Sequence, residues 1–181
     1  MSRISLHPAT PSHRGTLEQL VQLYAYDWSE ILQSSVGPDG RFAVMDLGAY
    51  FADSFRHPFL LRVSEELAGF ALISSRSRLS NADGIYDMNE FFVMRSYRRK
   101  RVGRAAAFAA FDRFKGPWEV RQRDENIAAT EFWRRTIGEY TEGRYDEVRW
   151  DTVEWTGPVQ RFSSASGGIF ASSRTIATTR A

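Results

Sequence analysis

Cysteine is absent from the 181 residues. That excludes a disulfide framework, a thiolate nucleophile and any zinc site built on thiolates. Histidine is scarce: His7, His13 and His57 are not at metal-ligand spacing, so no metal is expected. No serine sits in a GxSxG context, and the phosphate-binding patterns GxxxxGK[ST] and GxGxxG do not occur. Long apolar runs and a signal-peptide pattern are missing, which leads us to expect a cytoplasmic protein without a membrane partner. A large excess of charge is missing as well, since 24 Lys and Arg face 22 Asp and Glu. The basic charge is therefore local, favouring a small anionic ligand over a nucleic-acid track.

What is present is material for a core. With 43% hydrophobic and 14% aromatic residues, one domain is expected over 1–162. From Ser163 the chain turns rich in Ser, Thr, Ala and Gly, so 163–181 is expected to be a disordered tail. A short strand is expected at 3–6. Thr16 and Gln19 have the spacing of a capping box, and Leu17, Leu20, Val21, Tyr24, Trp28 and Ile31 repeat at helical spacing. Residues 33–41, with Gly37-Pro38-Asp39-Gly40, read as a loop of the kind that carries specificity. A second helix is predicted over 46–55, ended by His57-Pro58 because the residue before proline disfavours the α region. Strands at 59–63 and 67–74 bracket a turn, and the latter holds Phe-Ala-Leu-Ile-Ser, apolar enough to be covered on both faces.

The chain is organised around residues 90–114. An aromatic strand, predicted over 85–94, runs into a turn carrying Arg98, Arg99, Lys100, Arg101 and Arg104. An Ala-rich helix follows, with Ala107, Phe108, Phe111 and Phe114 on one face. Lys115-Gly116-Pro117 stops it. A strand feeding a helix N-terminus presents free N–H groups and the positive end of a dipole, an anion site that Gly103 lets a ligand approach closely. The alternative is a solvated basic face. A strand at 118–123 completes a right-handed crossover. The next helix is expected to end near Gly138, followed by closing strands at 140–145 and 148–155.

The run Tyr97-Arg98-Arg99-Lys100-Arg101-Val102-Gly103-Arg104-Ala105 resembles the pyrophosphate loop of the GNAT superfamily of acetyltransferases, whose pattern is Arg or Gln, two residues, Gly, one residue, then Gly or Ala. Arg98 and Gly103 fit its ends, and Arg101 stands where the first Gly is usual. A second block, Asn126-Ile127-Ala128-Ala129-Thr130-Glu131-Phe132-Trp133, is similar to that family's Asn-x-x-Ala-x-x-Phe-Tyr helix. The resemblance covers residues 4–162. It implies an α/β fold of the α+β kind, with a central mixed sheet flanked by helices.

The resemblance further implies transfer of acetyl from acetyl-CoA to a primary amine by direct attack in a ternary complex. Backbone amides near Phe92 and Val93 would meet the thioester. Arg98 and the N–H groups of Arg99, Lys100, Arg101, Val102, Gly103 and Arg104 would hold the pyrophosphate. Glu90 is the first candidate for general base, against the alternative of a salt bridge to a nearby arginine. Asp87 and Asn89 fall on the opposite face from Glu90 in a regular strand, and a bulge would reverse this. Trp133 replaces the family's usual Tyr and is expected to pack on pantetheine or in the core. Tyr140 is the first candidate for the missing hydroxyl and Tyr145 the second, each set against a purely structural role. Asn126 is expected to bond the pantetheine arm, to cap its helix, or both. The acceptor stays open among small amines, amino acids, aminoglycoside-like compounds and protein N-termini, as does a homodimer. Two other classes are weighed: a non-catalytic acyl-CoA-binding domain, and a nucleic-acid module built on the basic turn.

Overall fold

Residues 3–153 and 155–165 are described by the computed structural model. The apolar runs pair into one seven-stranded sheet in the order β1-β2-β3-β4-β5-β7-β6. The strands are β1 (Ile4–Pro8), β2 (Arg56–Val63), β3 (Glu66–Arg76), β4 (Asp83–Val93), β5 (Pro117–Arg121), β6 (Asp146–Asp151) and β7 (Thr156–Ser163). All neighbours are antiparallel except β4 and β5, the parallel pair joined by a helical crossover. The helices are α1 (Arg14–Leu32), α2 (Gly48–Ala52), α3 (Val102–Arg113) and α4 (Ile127–Thr141).

Strand β3 shows how the sequence divides the core. Phe70 and Leu72 pack with Leu17, Leu20 and Val21 of α1 on one face. Ala71 and Ile73 pack with Ala110, Phe111 and Ile137 of α3 and α4 on the other. Both faces are therefore dry, which is why the strand is apolar nearly throughout. Phe111 is fully buried and meets Trp118, Tyr140 and Phe162 edge to face with centroids 4.8–5.1 Å apart, an arrangement that ring quadrupoles favour.

Several boundaries differ from the expectation. Helix α1 begins at Arg14 after a 3₁₀ turn at Pro11–His13, so Thr16 lies inside the first turn. The Thr10 N–H donates to His13 Nδ1 at 3.1 Å, placing the N-terminal anchor earlier than Thr16 and Gln19 suggested. Helix α2 covers only Gly48–Ala52. The strand after it starts at Arg56 and includes His57-Pro58. Pro58 is tolerated there because β1 pairs only with Phe59–Val63, leaving Pro58 with β3 as its one ladder neighbour.

Helix α4 runs through Gly138 to Thr141, so the strand expected at 140–145 does not form and Tyr140 is helical. An interior glycine costs about 1 kcal/mol relative to alanine, and packing of Tyr140 on Phe108 and Phe111 offsets it. The closing hairpin is β6 and β7, with Thr152 N–H donating to Trp155 O at 2.8 Å between them. Ser163 ends β7, and Ser164 is buried with its hydroxyl donating to Phe114 O and accepting from Trp118 Nε1. The first two residues of the expected tail thus belong to the sheet and its edge, and residues 166–181 lie outside the described residues. Among the described residues no helix is long and apolar enough to cross a membrane.

Candidate active site

The parallel strands β4 and β5 pair only at Tyr86 with Trp118 and Asp87 with Glu119. Beyond that point they diverge, and the wedge between them leads to the turn before α3. At the mouth of the wedge β4 carries a bulge: Leu72 pairs with Glu90 and Ile73 with Met88, leaving Asn89 unpaired. The extra residue resets the alternation. Asn89 donates to the Tyr50 hydroxyl of α2 at 2.9 Å, and Glu90 accepts from the Tyr24 hydroxyl of α1 at 2.5 Å. Phe92 joins the α1 core while Met88 faces α3 and α4. The expected opposition of Asn89 and Glu90 is corrected by this bulge, which puts both side chains on the α1 face.

Two cavities meet in the wedge. One, of about 580 Å³, runs from Phe91, Phe92 and Val93 to Arg98, Arg99 and Gly103. The other, of about 540 Å³, is lined by Glu90 and Asn89, by Met45 from the loop after α1, and by Trp155 from the β6–β7 turn. Tyr24, Trp28, Phe91, Asn126, Ala129 and Trp133 line both and form the shared wall. The loop over the second cavity is held to α1 by Gln22, whose side chain donates to Phe42 O at 3.1 Å and accepts from Phe42 N at 2.8 Å.

The first cavity ends at the N-terminus of α3. The first helical bond there is Ala105 N–H to Arg101 O at 3.0 Å, and helix geometry leaves the N–H groups of Val102, Gly103 and Arg104 without intrahelical partners. Arg99 and Arg101 have φ of 59° and 62°, left-handed conformations that fold the basic turn tightly. Arg98 is tied down: it donates to Val93 O at 2.7 Å and to the Asp27 carboxylate, which also receives Arg95 at 2.9 Å. A β-carbon on Gly103 would lie 3.3 Å from the Phe132 ring, so glycine here keeps the helix start close to α4. Free N–H groups, a dipole end and cations around it suit a diphosphate. Val102 is buried, and Arg104 pairs with Glu139 at 2.6 Å; neither these two nor Lys100 and Arg101 line the cavity.

Glu90 is the carboxylate of the second cavity. Burial pushes its pKa upward, against the Tyr24 hydrogen bond and the charge of Arg121. Burial and the adjoining carboxylate push the Tyr24 phenol well up, so it remains a donor. No salt bridge to Glu90 occurs among the described residues. Asp87 is the buried carboxylate that faces an arginine, with Oδ2 3.6 Å from Arg121 Nε. Tyr24 was not singled out as a site residue from the sequence, because its place in the α1 periodicity reads equally well as core. Trp155 was missed because it reads as the end of a strand.

Trp133 is 5% exposed and packs against Phe91 and Phe111 while edging the shared wall. Asn126 caps α4 by accepting from Ala129 N at 3.1 Å, and it also lines both cavities. Tyr140 lies elsewhere. Its hydroxyl donates to Asp112 at 2.8 Å and its ring packs on Phe108 and Phe111. Neither Tyr140 nor Tyr145 lines either cavity, which corrects the expectation that Tyr140 reaches the reacting groups.

The acetyltransferase (GNAT) family model matches residues 17–138, and the chain belongs to that family. No curated protein matches it in sequence. Among solved structures it is similar to the aminoglycoside acetyltransferase AAC(6')-Ib in complex with coenzyme A and kanamycin. That match has 13% identity and TM-score 0.62, covering 89% of this chain and 95% of that one. An acetyltransferase from Thermus thermophilus matches at 15% identity and TM-score 0.62, over 90% and 99% of the two chains. The ribosomal-protein-S18-alanine N-acetyltransferase from Escherichia coli matches at 14% identity and TM-score 0.55, over 92% and 97%. At these identities the likeness is one of fold.

Proposed function

We propose that the chain is an N-acetyltransferase that binds acetyl-CoA in the cavity ending at α3 and a primary amine in the cavity holding Glu90. The observation that carries this reading is the shared wall. A thioester at the wedge and an amine beside Glu90 would meet across Tyr24 and Phe91, without an enzyme-bound intermediate. The N–H groups of Val102, Gly103 and Arg104 would hold the pyrophosphate, and backbone amides of Phe92 and Val93 would polarise the thioester carbonyl. Asn126 and Trp133 would flank the pantetheine arm.

Glu90 takes a proton from the amine. The nitrogen then forms the C–N bond, the C–S bond breaks, and the departing thiolate is protonated by solvent. Tyr24 holds the carboxylate in place and favours its charged form. Trp133 has no proton to give at useful acidity, and Tyr140 is too far into the α3–α4 packing to take part. The alternative of a non-catalytic acyl-CoA-binding domain is favoured by a Glu90 buried in an ion pair with no acceptor cleft; the cavity beside Glu90, with no ion pair to it among the described residues, supports the enzyme reading instead.

The test begins with thermal unfolding in saturating acetyl-CoA, with AMP as comparison. Ligand at about 100 times its Kd stabilises by roughly 2.7 kcal/mol, a rise on the order of 5 °C or more. Gly103→Asp, which puts a carboxylate and a crowded side chain at the diphosphate site, should remove most of that rise. With an acceptor in hand, Glu90→Gln should lower kcat by about 10²-fold or more while leaving the acetyl-CoA shift intact. No shift with acetyl-CoA at any concentration would end this reading.

A further inference from the structure

Among the described residues, the charged side chains lining the acceptor cavity are one carboxylate, Glu90, and two guanidiniums, Arg121 and Arg123. A site for a polycationic amine needs the opposite balance. Arg121, at the end of β5, has only 4% of its side chain exposed. It stands with its guanidinium carbon 4.6 Å over the Trp155 ring. Its Nε faces Asp87 at 3.6 Å, too far for a hydrogen bond, and that Nε is buried without a hydrogen-bond partner.

Asp87 and the Trp155 ring hold Arg121 at the lining with its Nε short of a hydrogen bond, and a planar guanidinium fork matches a carboxylate. The Gln122 side chain, 3% exposed on the same lining, has its Oε1 unpartnered as well. Arg123 also stands over the Trp155 ring, at 5.3 Å, and helps to hold that ring at the site. Trp28, Phe42, Met45, Met88 and Trp133 give the cavity a broad aromatic and apolar wall, beside the polar Ser34, Ser35, Asn89 and Asn126.

Building on the acetyltransferase reading, we infer that the acceptor is a free amino acid or a close analogue, its amine at Glu90, its carboxylate at Arg121, and its apolar side chain against the aromatic wall. The two charged ends lie on adjacent strands across the β4–β5 wedge, so one small molecule can touch both. The inference excludes aminoglycoside-like and polyamine acceptors, which would bring further cations to Arg121. It also excludes protein N-termini, whose first residue carries an amide where the carboxylate is wanted.

The experiment measures thiol release from acetyl-CoA with the standard amino acids, their methyl esters, the matching decarboxylated amines, spermidine and kanamycin. Calorimetric binding of the same compounds to the CoA-loaded protein is measured in parallel. The expected result is an apolar or aromatic amino acid with kcat/KM at least about tenfold above its ester and its decarboxylated amine, the loss expected when a buried polar partner is left unpaired. Arg121→Gln should erase that preference by lowering the free acid alone. If this variant does not fold, the acid-to-ester ratio of the unaltered protein still decides. Equal rates for acid and ester, preference for spermidine or kanamycin, or binding of acetyl-CoA with no amino acid binding or reacting would each overturn the inference while leaving the cofactor site standing. Failure to bind acetyl-CoA at all would overturn the proposed function with it.

Discussion

Glu90 and Tyr24 hold opposing demands in one hydrogen bond. Burial favours the protonated carboxyl, whereas the phenol at 2.5 Å favours the charged one. Tyr24→Phe removes a force that lowers the Glu90 pKa, so the acidic limb of the rate profile should move to higher pH, with activity at its plateau much less affected. The same carboxyl bears on stability. Its folded pKa lies above its unfolded one, so its contribution to stability is complete below the unfolded value and is lost as pH rises through the raised value. Glu90→Gln should therefore raise Tm relative to the unaltered protein above that window and not below it. A second residue with a measurable cost is Arg101, a non-glycine side chain at φ 62°. The left-handed conformation costs roughly 1–2 kcal/mol in an L-residue, partly offset by the greater unfolded entropy of glycine. Arg101→Gly should be neutral to about 1 kcal/mol stabilising by denaturant titration, with acetyl-CoA binding retained, because Arg101 does not line the cavity. The sequence showed the basic turn and Glu90 by type and position. It did not show that Arg98 would be spent on Asp27, 71 positions earlier, because pairing across that span depends on where α1 lies.

The element that turns a strand into a site is the β4 bulge. Alternation in 85–94 is legible in the sequence, but one unpaired residue at Asn89 moves Asn89 and Glu90 onto a common face, and nothing in their side chains announces it. Behind the bulge, β3 supports β4 through an unusually close approach. A β-carbon on Gly69 would sit 1.9 Å from Phe92 O, inside the backbone of the neighbouring strand. Gly69→Ala must push β4 away from β3 at Phe92 and should cost about 3 kcal/mol. The part of that loss felt by the site should appear as weaker acetyl-CoA binding in the variant that still folds, measured by calorimetry. Helix α4 teaches the complementary lesson. Gly138 reads as a stop by local propensity, yet the helix continues because Tyr140 has three aromatic neighbours in Phe108, Phe111 and Phe162. Strand and helix types were therefore legible from periodicity except at 140–145, where the end of α4 stands in place of an expected strand, whereas ends and faces were set by contacts distant in sequence.

At the scale of the whole molecule, the layered order of strands and helices was legible because the motifs lie on consecutive elements, β4 through α4. The cavity holding Glu90 was not, because β4 and α4 are joined there by α1, the loop held by Gln22, the end of β5 and the β6–β7 turn, which share no common pattern. This assembly has a kinetic consequence. The chain contains no cysteine, and no side chain of the shared wall is an activated nucleophile, since the Tyr24 phenol is held protonated. Under the proposed function, acetyl would then pass directly between two substrates bound at once, and the wall common to both cavities would bring them together. Initial rates measured against both substrates should give intersecting double-reciprocal lines, and a conjugate joining CoA to the acceptor nitrogen should bind more tightly than either part alone, since the second half attaches at a high effective concentration. Parallel lines with formation of an acetylated protein in the absence of acceptor would require a covalent carrier. That outcome would place the chemistry on a residue outside the wall formed by Tyr24, Phe91 and Trp133.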